Sequence, residues 1–508
     1  MWRRSGVSKT VLCEQMDEAP LNPLQAAVAQ AFAPEGPLAQ HNPGYTPRAG
    51  QLRMAQAVAE AVENRACLVV EAGTGIGKTF AYLVPALLSG RQVVVCTATK
   101  TLQDQLYTRD LPLVARWLGV GVRSALLKGR SSYLCLERLG QARHQVLDHD
   151  RHAQNTLRRV EEWAAHTPHG DLSDAGVLPE HSPLWPLVTS TRDNCLGNTC
   201  PRATDCHVYA ARRRAAAADV VVANHHLFWA DRQVREVADR GLLPIPDLLV
   251  FDEAHHLLDT AARWGAEVLS GGACREWGRD CLRWASQRGG AAADWTAQVV
   301  GLEMALTAWQ SSLPAASEPA APLLAWASGP APDGVDPEAW STALGTVHQA
   351  LTVLLSSLES ANDDGPTARA LRSRGVVLLQ RLAGWVDGEA ALAESPPVPQ
   401  VRWVECSRPP RLVRAPLSLS GVFGGSSDPA LVFTSATLGV GGDMSWFAQG
   451  LGLGEHTRLH IHSPFDHAKQ AALYIPTNLP LPEDPSHARQ LAAGVWPWVQ
   501  RLRGRTLV

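Results

Sequence analysis

Five short apolar runs constrain this chain more than any other feature of it: CLVVEA, QVVVCT, DVVVAN, DLLVFD and ALVFTS, beginning at residues 67, 92, 219, 247 and 430. They are rich in Val and Leu and show no polar alternation. A strand with one wet face alternates, whereas a strand covered on both faces reads as a continuous run, and parallel sheets of α/β proteins are covered on both faces. The runs therefore predict an α/β fold built on a parallel sheet. Four of the five end in polar sequence, and open α/β sheets hold ligands at the carboxyl ends of their strands.

The uneven spacing of the runs locates insertions. One fills the interval 98–218, and a second, rich in Ala, Leu and Trp, fills 253–429. In TALGTVHQALTVLLSSLES the apolar residues Leu344, Val347, Leu351, Leu354, Leu355 and Leu358 fall on one face of a helix, so the second insertion is expected to be mostly helical. SSLPAASEPAAP (311–322) and AESPPVPQ (393–400) read as loops, and there is no internal repeat. A chain of 508 residues should form two to four domains. Its net charge of −3, from 46 Lys+Arg and 49 Asp+Glu, excludes a uniformly basic coat, so a polyanionic partner must be met by a local patch. The N-terminal MWRRSGVSKT has no apolar core after its arginines, and no run approaches the length needed to cross a bilayer. A cytosolic protein with no membrane contact is expected.

The first run leads into GTGIGKTF. Here Gly73, Thr74, Gly75 and Gly77 form a turn of small residues whose backbone N–H groups can surround phosphate oxygens. Lys78 would reach the β- and γ-phosphates, Thr79 would offer its hydroxyl to Mg²⁺, and the helix that follows directs its positive end to the same place. Ala72 stands where the general form of this loop has glycine. The fourth run ends in Asp252 and Glu253. Adjacent carboxylates at a strand end suit two roles: Asp252 holding hydrated Mg²⁺, and Glu253 orienting and deprotonating an attacking water.

Ten cysteines in a reducing compartment are not expected to pair. Cys13, Cys67, Cys96, Cys274, Cys281 and Cys406 are isolated and read as buried, inert thiols. Cys135 closes LKGRSSYLC, and CLGNTCPRATDC supplies Cys195, Cys200 and Cys206. Gaps of four and five residues do not fit the C-x₂-C knuckles of structural zinc. Four thiolates on a flexible frame can instead hold a cubane iron–sulfur cluster, and the spacing leaves zinc and iron level.

Together, AGTGIGKT and DEAH resemble the superfamily 2 helicases, in which alanine at the position of Ala72 is the normal residue. In YTPRAGQLRM, Arg48 and Gln51 resemble the upstream element whose glutamine reads adenine. TATKTLQDQL and VANHHLF resemble DNA-facing segments of the first motor domain. TSATL, with Ser435, Ala436 and Thr437, resembles the motif that couples ATP state to DNA grip. A cysteine-bearing insertion before the DEAH box, followed by a helical one, is similar to the DinG/XPD iron–sulfur helicases, and KGRSSYLC and ANHHLF lean to the bacterial DinG/YoaA branch. Ser132 replaces an asparagine common in that phrase.

The resemblance covers Gly44 to Val508 and implies a discontinuous RecA-like motor domain (44–125, 215–264 and 416–455) after an N-terminal extension (1–43). Cys135, Cys195, Cys200 and Cys206 would hold a 4Fe–4S cluster in a domain spanning 126–214. A mostly helical arch would span 265–415, and a second RecA-like domain would begin at 456. It implies ATP-driven 5′→3′ translocation on single-stranded DNA and action at DNA junctions in repair or replication. Arg212, Arg213 and Arg214, and Arg402, Arg408, Arg411 and Arg414, are candidates for phosphate contact. An RNA-directed DEAH-type ATPase without a cluster and a non-enzymatic, redox-sensing DNA-binding module are the competing readings. In the family, AALYIP (471–476) is strand-like and a segment like GRTLV (504–508) opens a strand that continues. A chain stopping there is expected to bind nucleotide and DNA without rapid hydrolysis or unwinding. Arg501, Arg503 and Arg505, its late basic residues, match no motif.

Overall fold

A computed structural model describes residues 21–42, 44–143, 150–192, 194–237, 241–288, 292–314, 323–326, 329–386, 400–416, 423 and 429–503. Cys13, the expected loops at 315–322 and 393–399, and Arg505 with the rest of GRTLV lie outside these residues. The chain divides into two compact units, Met1–His462 and Ser463–Val508.

In chain order the strands are β1 (Cys67–Ala72), β2 (Val93–Thr97), β3 (Ser124–Leu126), β4 (Val220–Asn224), β5 (Leu248–Asp252), β6 (Glu267–Ser270), β7 (Leu323–Ala325), β8 (Gln400–Glu405), β9 (Arg411–Pro416), β10 (Ala430–Ser435) and β11 (Thr457–Ile461). Seven of them form one sheet in the order β11-β1-β10-β5-β2-β4-β3, every pairing parallel. All five apolar runs are in it. Alternate residues of each run enter different cores, which is why none of them alternates. Val70, Val95, Val250 and Val432 meet Met54, Val58, Tyr82 and Leu83 on one face. Val69, Val94, Phe251 and Phe433 meet Phe228, Trp229, Leu257 and Phe447 on the other. Register places Glu71 beside Ser435, and Asp252 beside Thr434, so the polar ends of the runs emerge along one edge.

Two boundaries differ from the sequence expectation. β11, assigned from sequence to the second motor domain, is the edge strand beside β1, so the first unit continues to His462. The helix Pro23–Ala31, assigned to an extension, buries Leu24 and Val28 in the motor core. It is started by a reciprocal cap, in which Gln25 N–H donates to Asn22 Oδ1 (2.7 Å) and Asn22 N–H to Gln25 Oε1 (3.0 Å). The arch is not helical throughout: β6, β9, β8 and β7 form a small antiparallel sheet.

Around that sheet stand the helices Gly271–Gln287, Ala292–Ser311, Pro337–Ser360 and Pro366–Val386. The stripe from Leu344 to Leu358 is buried as expected. Trp277, Trp309 and Trp340 are fully buried among them, so these tryptophans are core and not base-stacking platforms. Cys274 and Cys281 share that core, and burial pushes both thiols up to about 12. Arg414 lies over the Trp385 ring at 4.6 Å and within 3.6 Å of Glu267, Arg402 lies over Trp326, and Arg411 pairs with Glu405. Three of the candidate phosphate contacts thus have partners inside the protein, while Arg213, Arg214 and Arg408 are exposed.

A separate core of Leu134, Leu139, Leu157, Val160, Leu172 and Val188 sits beneath the cysteine-bearing segments. In the second unit the helix His487–Leu502 is present. Residues 471–476 form no strand, and Leu473, Tyr474 and Ile475 are exposed. A strand needs a neighbour for its N–H and C=O groups, and none lies alongside among the described residues. No described helix is long and apolar enough to cross a membrane.

Candidate nucleotide site and cysteine cavity

β1 ends at Ala72, and the turn that follows is built on two glycines in the left-handed region, Gly75 (φ 86°) and Gly77 (φ 87°). That backbone is costly for residues with a Cβ. A side chain at Gly77 would also collide with the Gln51 amide. Two side chains tie back the carbonyls of the turn: Arg48 Nη1 donates to Gly75 O (2.5 Å) and Gln51 Nε2 to Gly77 O (3.0 Å). Arg48 and Gln51 therefore lie against the loop, and Gln51 is buried there. Gly73 N–H donates to Ile461 O of β11 (3.0 Å), so the edge strand fixes the start of the loop. Lys78 opens the helix Lys78–Leu88, followed by Thr79, with Lys78 Nζ 3.4 Å from Ala72 O.

Asp252 reaches the same edge from β5. Burial, and then the charge of Glu253, push its carboxyl up to about 6, although Lys78 opposes the shift. Tyr82 O–H donates to Asp252 Oδ2 at 3.3 Å. Glu253 has φ 50°, a turned backbone that carries its carboxylate toward β10. There Ser435 Oγ lies 3.4 Å from Glu253 Oε2 and 2.7 Å from His255 Nδ1, and His255 Nδ1 is itself 3.4 Å from Glu253 Oε2. Burial and the neighbouring His256 lower the pKa of His255. A neutral His255 donating from Nδ1 to Ser435, with the serine hydrogen given to Glu253, satisfies all three groups.

His225 was not singled out by the sequence reading. It is fully buried, its Nε2 is 2.9 Å from Asp252 O, and burial lowers its pKa to about 4, so it braces the end of β5 as a neutral ring. Its only sequence signal was its place in ANHHLF, directly after β4. A lysine, a hydroxyl and two carboxylates at one sheet edge are the groups needed to hold a Mg²⁺-nucleotide and take a proton from water.

The four cysteines line one cavity of about 630 Å³ between the cysteine-bearing loops and two arch helices. Among the described residues no three His, Cys, Asp or Glu converge closely enough to hold a single metal ion. Four thiols lining one cavity are a donor set of the kind a cubane cluster uses. Burial raises the Cys135 pKa, backbone N–H groups of Arg138 and Glu137 oppose that rise, and the Cys195 and Cys200 charges add to it. Arg138 and Arg212 stand in the cavity wall, and the buried Arg138 Nε has no hydrogen-bond partner among the described residues. An unmet cationic donor beside Cys135 suits an anionic occupant.

A profile of the DEAD/DEAH box helicase family matches residues 53–164. The chain is 38% identical over 491 residues to the ATP-dependent DNA helicase YoaA of Escherichia coli (strain K12), a match covering 93% of this chain and 73% of that protein. The Haemophilus influenzae protein of the same name is 33% identical over 485 residues, covering 95% and 73%. The ATP-dependent helicase DinG of Mycobacterium tuberculosis (strain ATCC 25177 / H37Ra) is 39% identical over 251 residues, covering 45% and 37%. With the phosphate loop, the acid pair and Ser435 on one sheet edge, and with such identity along nearly its whole length, the chain belongs to the DinG/YoaA family of ATP-dependent DNA helicases.

Proposed function

We propose that this helicase hydrolyses ATP·Mg²⁺ at Lys78, Thr79, Asp252 and Glu253 and moves 5′→3′ along single-stranded DNA, acting at junctions during repair or replication in the cytoplasm. Lys78 offsets the charge of the terminal phosphates, Thr79 and ionised Asp252 hold Mg²⁺, and Glu253 takes the proton of the attacking water. The phosphate-loop amides of Thr74, Gly75 and Gly77 bind the phosphates, while the Gly73 amide, taken by Ile461 O, anchors the loop instead of meeting phosphate, and Arg48 and Gln51 brace the loop beside the base. Cys135, Cys195, Cys200 and Cys206 hold a 4Fe–4S cluster, which when bound supplies a covalent brace across the cysteine-bearing loops. The observation that carries this reading is the meeting of Ser435, His255 and Glu253 within 3.4 Å at the strand edge beside the phosphate loop.

The test is anaerobic purification followed by iron and sulfide assay, ATPase measurement with and without single-stranded DNA, and strand displacement from 5′- and 3′-tailed duplexes. Four irons with sulfide, DNA-stimulated ATPase and displacement from the 5′ tail are the outcomes this reading requires; nucleotide and DNA binding without rapid hydrolysis or unwinding is the sequence expectation that the same assays would bear out instead. Stoichiometric zinc without sulfide would overturn the cluster assignment, and displacement only from the 3′ tail would overturn the polarity.

A further inference from the structure

Glu71 is an unexpected residue at the end of a buried strand. It is the penultimate residue of β1 and is 8% exposed. A buried carboxylate requires partners, and among the described residues no lysine or arginine supplies one. Its Oε2 instead accepts two successive backbone N–H groups, from Leu438 (2.6 Å) and Gly439 (2.7 Å), while Oε1 lies 3.3 Å from His460 Nε2 of β11. Two adjacent amides on one ionised oxygen form a short, charge-assisted pair. The turn they belong to is itself closed. Val440 and Asp443 bridge each other, and a side chain at Gly439 would collide with the Asp443 carbonyl.

That turn begins three residues after Ser435, the hydroxyl in contact with both His255 and Glu253. Ser435 is also the register partner of Glu71 on β10, and His460 is its partner on β11. Glu71 thus joins the strand that delivers the phosphate loop to the strand end that orients the acid pair. The phosphate loop is held by other bonds, from Arg48 to Gly75, Gln51 to Gly77 and Gly73 to Ile461. Nucleotide grip and orientation of the water-activating carboxylate are therefore fastened separately.

We infer that Glu71 is a positioning residue for hydrolysis: by holding the Leu438–Gly439 turn it sets where Ser435, and through it Glu253, stands relative to Lys78. This rests on the assignment of Lys78 and Glu253 above. General-base action contributes roughly 10²–10⁴-fold and tolerates little misplacement. Removing the grip should therefore cost catalysis and spare binding.

The experiment compares Glu71→Ala, Glu71→Asp and Glu71→Gln with the unaltered protein, measuring kcat with single-stranded DNA and the affinity of a fluorescent, non-hydrolysable ATP analogue. Alanine removes the acceptor, and aspartate keeps the charge but withdraws it by one methylene. Glutamine keeps an acceptor oxygen at full length. Glu71→Ala and Glu71→Asp should lower kcat by roughly 10- to 100-fold, with analogue affinity within about threefold of the original, and Glu71→Gln should recover most of the rate. If alanine prevents folding, aspartate against glutamine decides alone. Equal losses of affinity and rate, or unchanged rates in Glu71→Asp, would overturn the inference. Unaltered protein that fails to bind the analogue would refute the nucleotide-site assignment and this inference with it.

Discussion

Lys128 offers a measurable test of how the motor sheet is joined to the cysteine-bearing segment. Its side chain is 1% exposed, and its Nζ lies 2.8 Å from Asp104 Oδ1 and 2.8 Å from Asp171 Oδ2. Burial alone would lower its pKa, but the two aspartates outweigh that and raise it, so the ammonium stays charged. Asp104 sits on the helix Lys100–Gln105 that follows β2, whereas Asp171 bridges Tyr133 two residues before Cys135. Removing one member of a buried ion pair typically costs about 3–5 kcal/mol. Asp104 is 39% exposed and can rehydrate, so Lys128→Met should cost about 2–4 kcal/mol. Asp171→Asn retains the oxygen that accepts Ser173 N–H and leaves a neutral Lys128–Asp104 pair, costing about 1 kcal/mol. In the double variant only the half-exposed Asp104 remains charged, so its cost should fall short of the sum by about 1–3 kcal/mol. The assay is amide hydrogen exchange at Leu134 and Cys135, whose N–H groups donate to Gly170 O and Val188 O at 2.8 Å, because local opening is defined there even where global unfolding is not two-state. Costs that add to within about 0.5 kcal/mol would show that the three charges do not act together and would refute the reasoning.

At the nucleotide site, Lys78→Ala should weaken binding of an ATP analogue by roughly 10- to 150-fold, as for loss of a hydrogen bond to a charged group, while Glu253→Gln binds normally; equal affinities for Lys78→Ala and the original protein would contradict the assignment. Asp252 has a folded pKa raised from 3.8 to about 6, so its stabilising protonated form is fully present below pH 3.8 and lost as pH rises through about 6. Asp252→Asn should therefore raise the melting temperature of nucleotide-free protein at pH 7.5 and abolish stabilisation by Mg²⁺-ATP, and Mg²⁺-nucleotide binding to the original protein should weaken below about pH 6. Gly77→Ala should weaken analogue binding through its positive φ and the displaced Gln51, read by the same titration.

The central sheet was legible because burial on both faces leaves a one-dimensional mark: five unbroken runs became five neighbouring strands. The stripe from Leu344 to Leu358 was legible for the same reason at helical period. β11 was not, because TRLHI is an edge strand in which half-buried Thr457, Arg458 and His460 interrupt the apolar residues, and its membership depends on β1, almost 400 residues earlier. β8 and β9 were hidden by their arginines, which invited a polyanion reading while Arg414 was filling the arch against Trp385. Lys78, Asp252 and Glu253 could be named because local spacing carries their chemistry. Glu71 and His225 act through backbone groups far away in sequence, and no local pattern announces such partners. The four cysteines were visible as residues, but their common cavity depends on arch helices read only as a helical region.

The sheet order has a consequence for synthesis. β1 pairs only with β10 and β11, and β10 enters the chain after both insertions. When Ala72 leaves the ribosome, the strand that presents the phosphate loop has no neighbour, and it gains one only after Ser435 has followed. At translation rates of about 5–20 residues per second, that delay is roughly 20–70 s. During this time β2, β4 and β5 can already pair, while CLVVEA remains an apolar strand with two open edges. The nascent chain thus carries a nucleotide loop without a floor, and its ability to bind ATP arrives late, with the last central strand rather than with the loop's own residues.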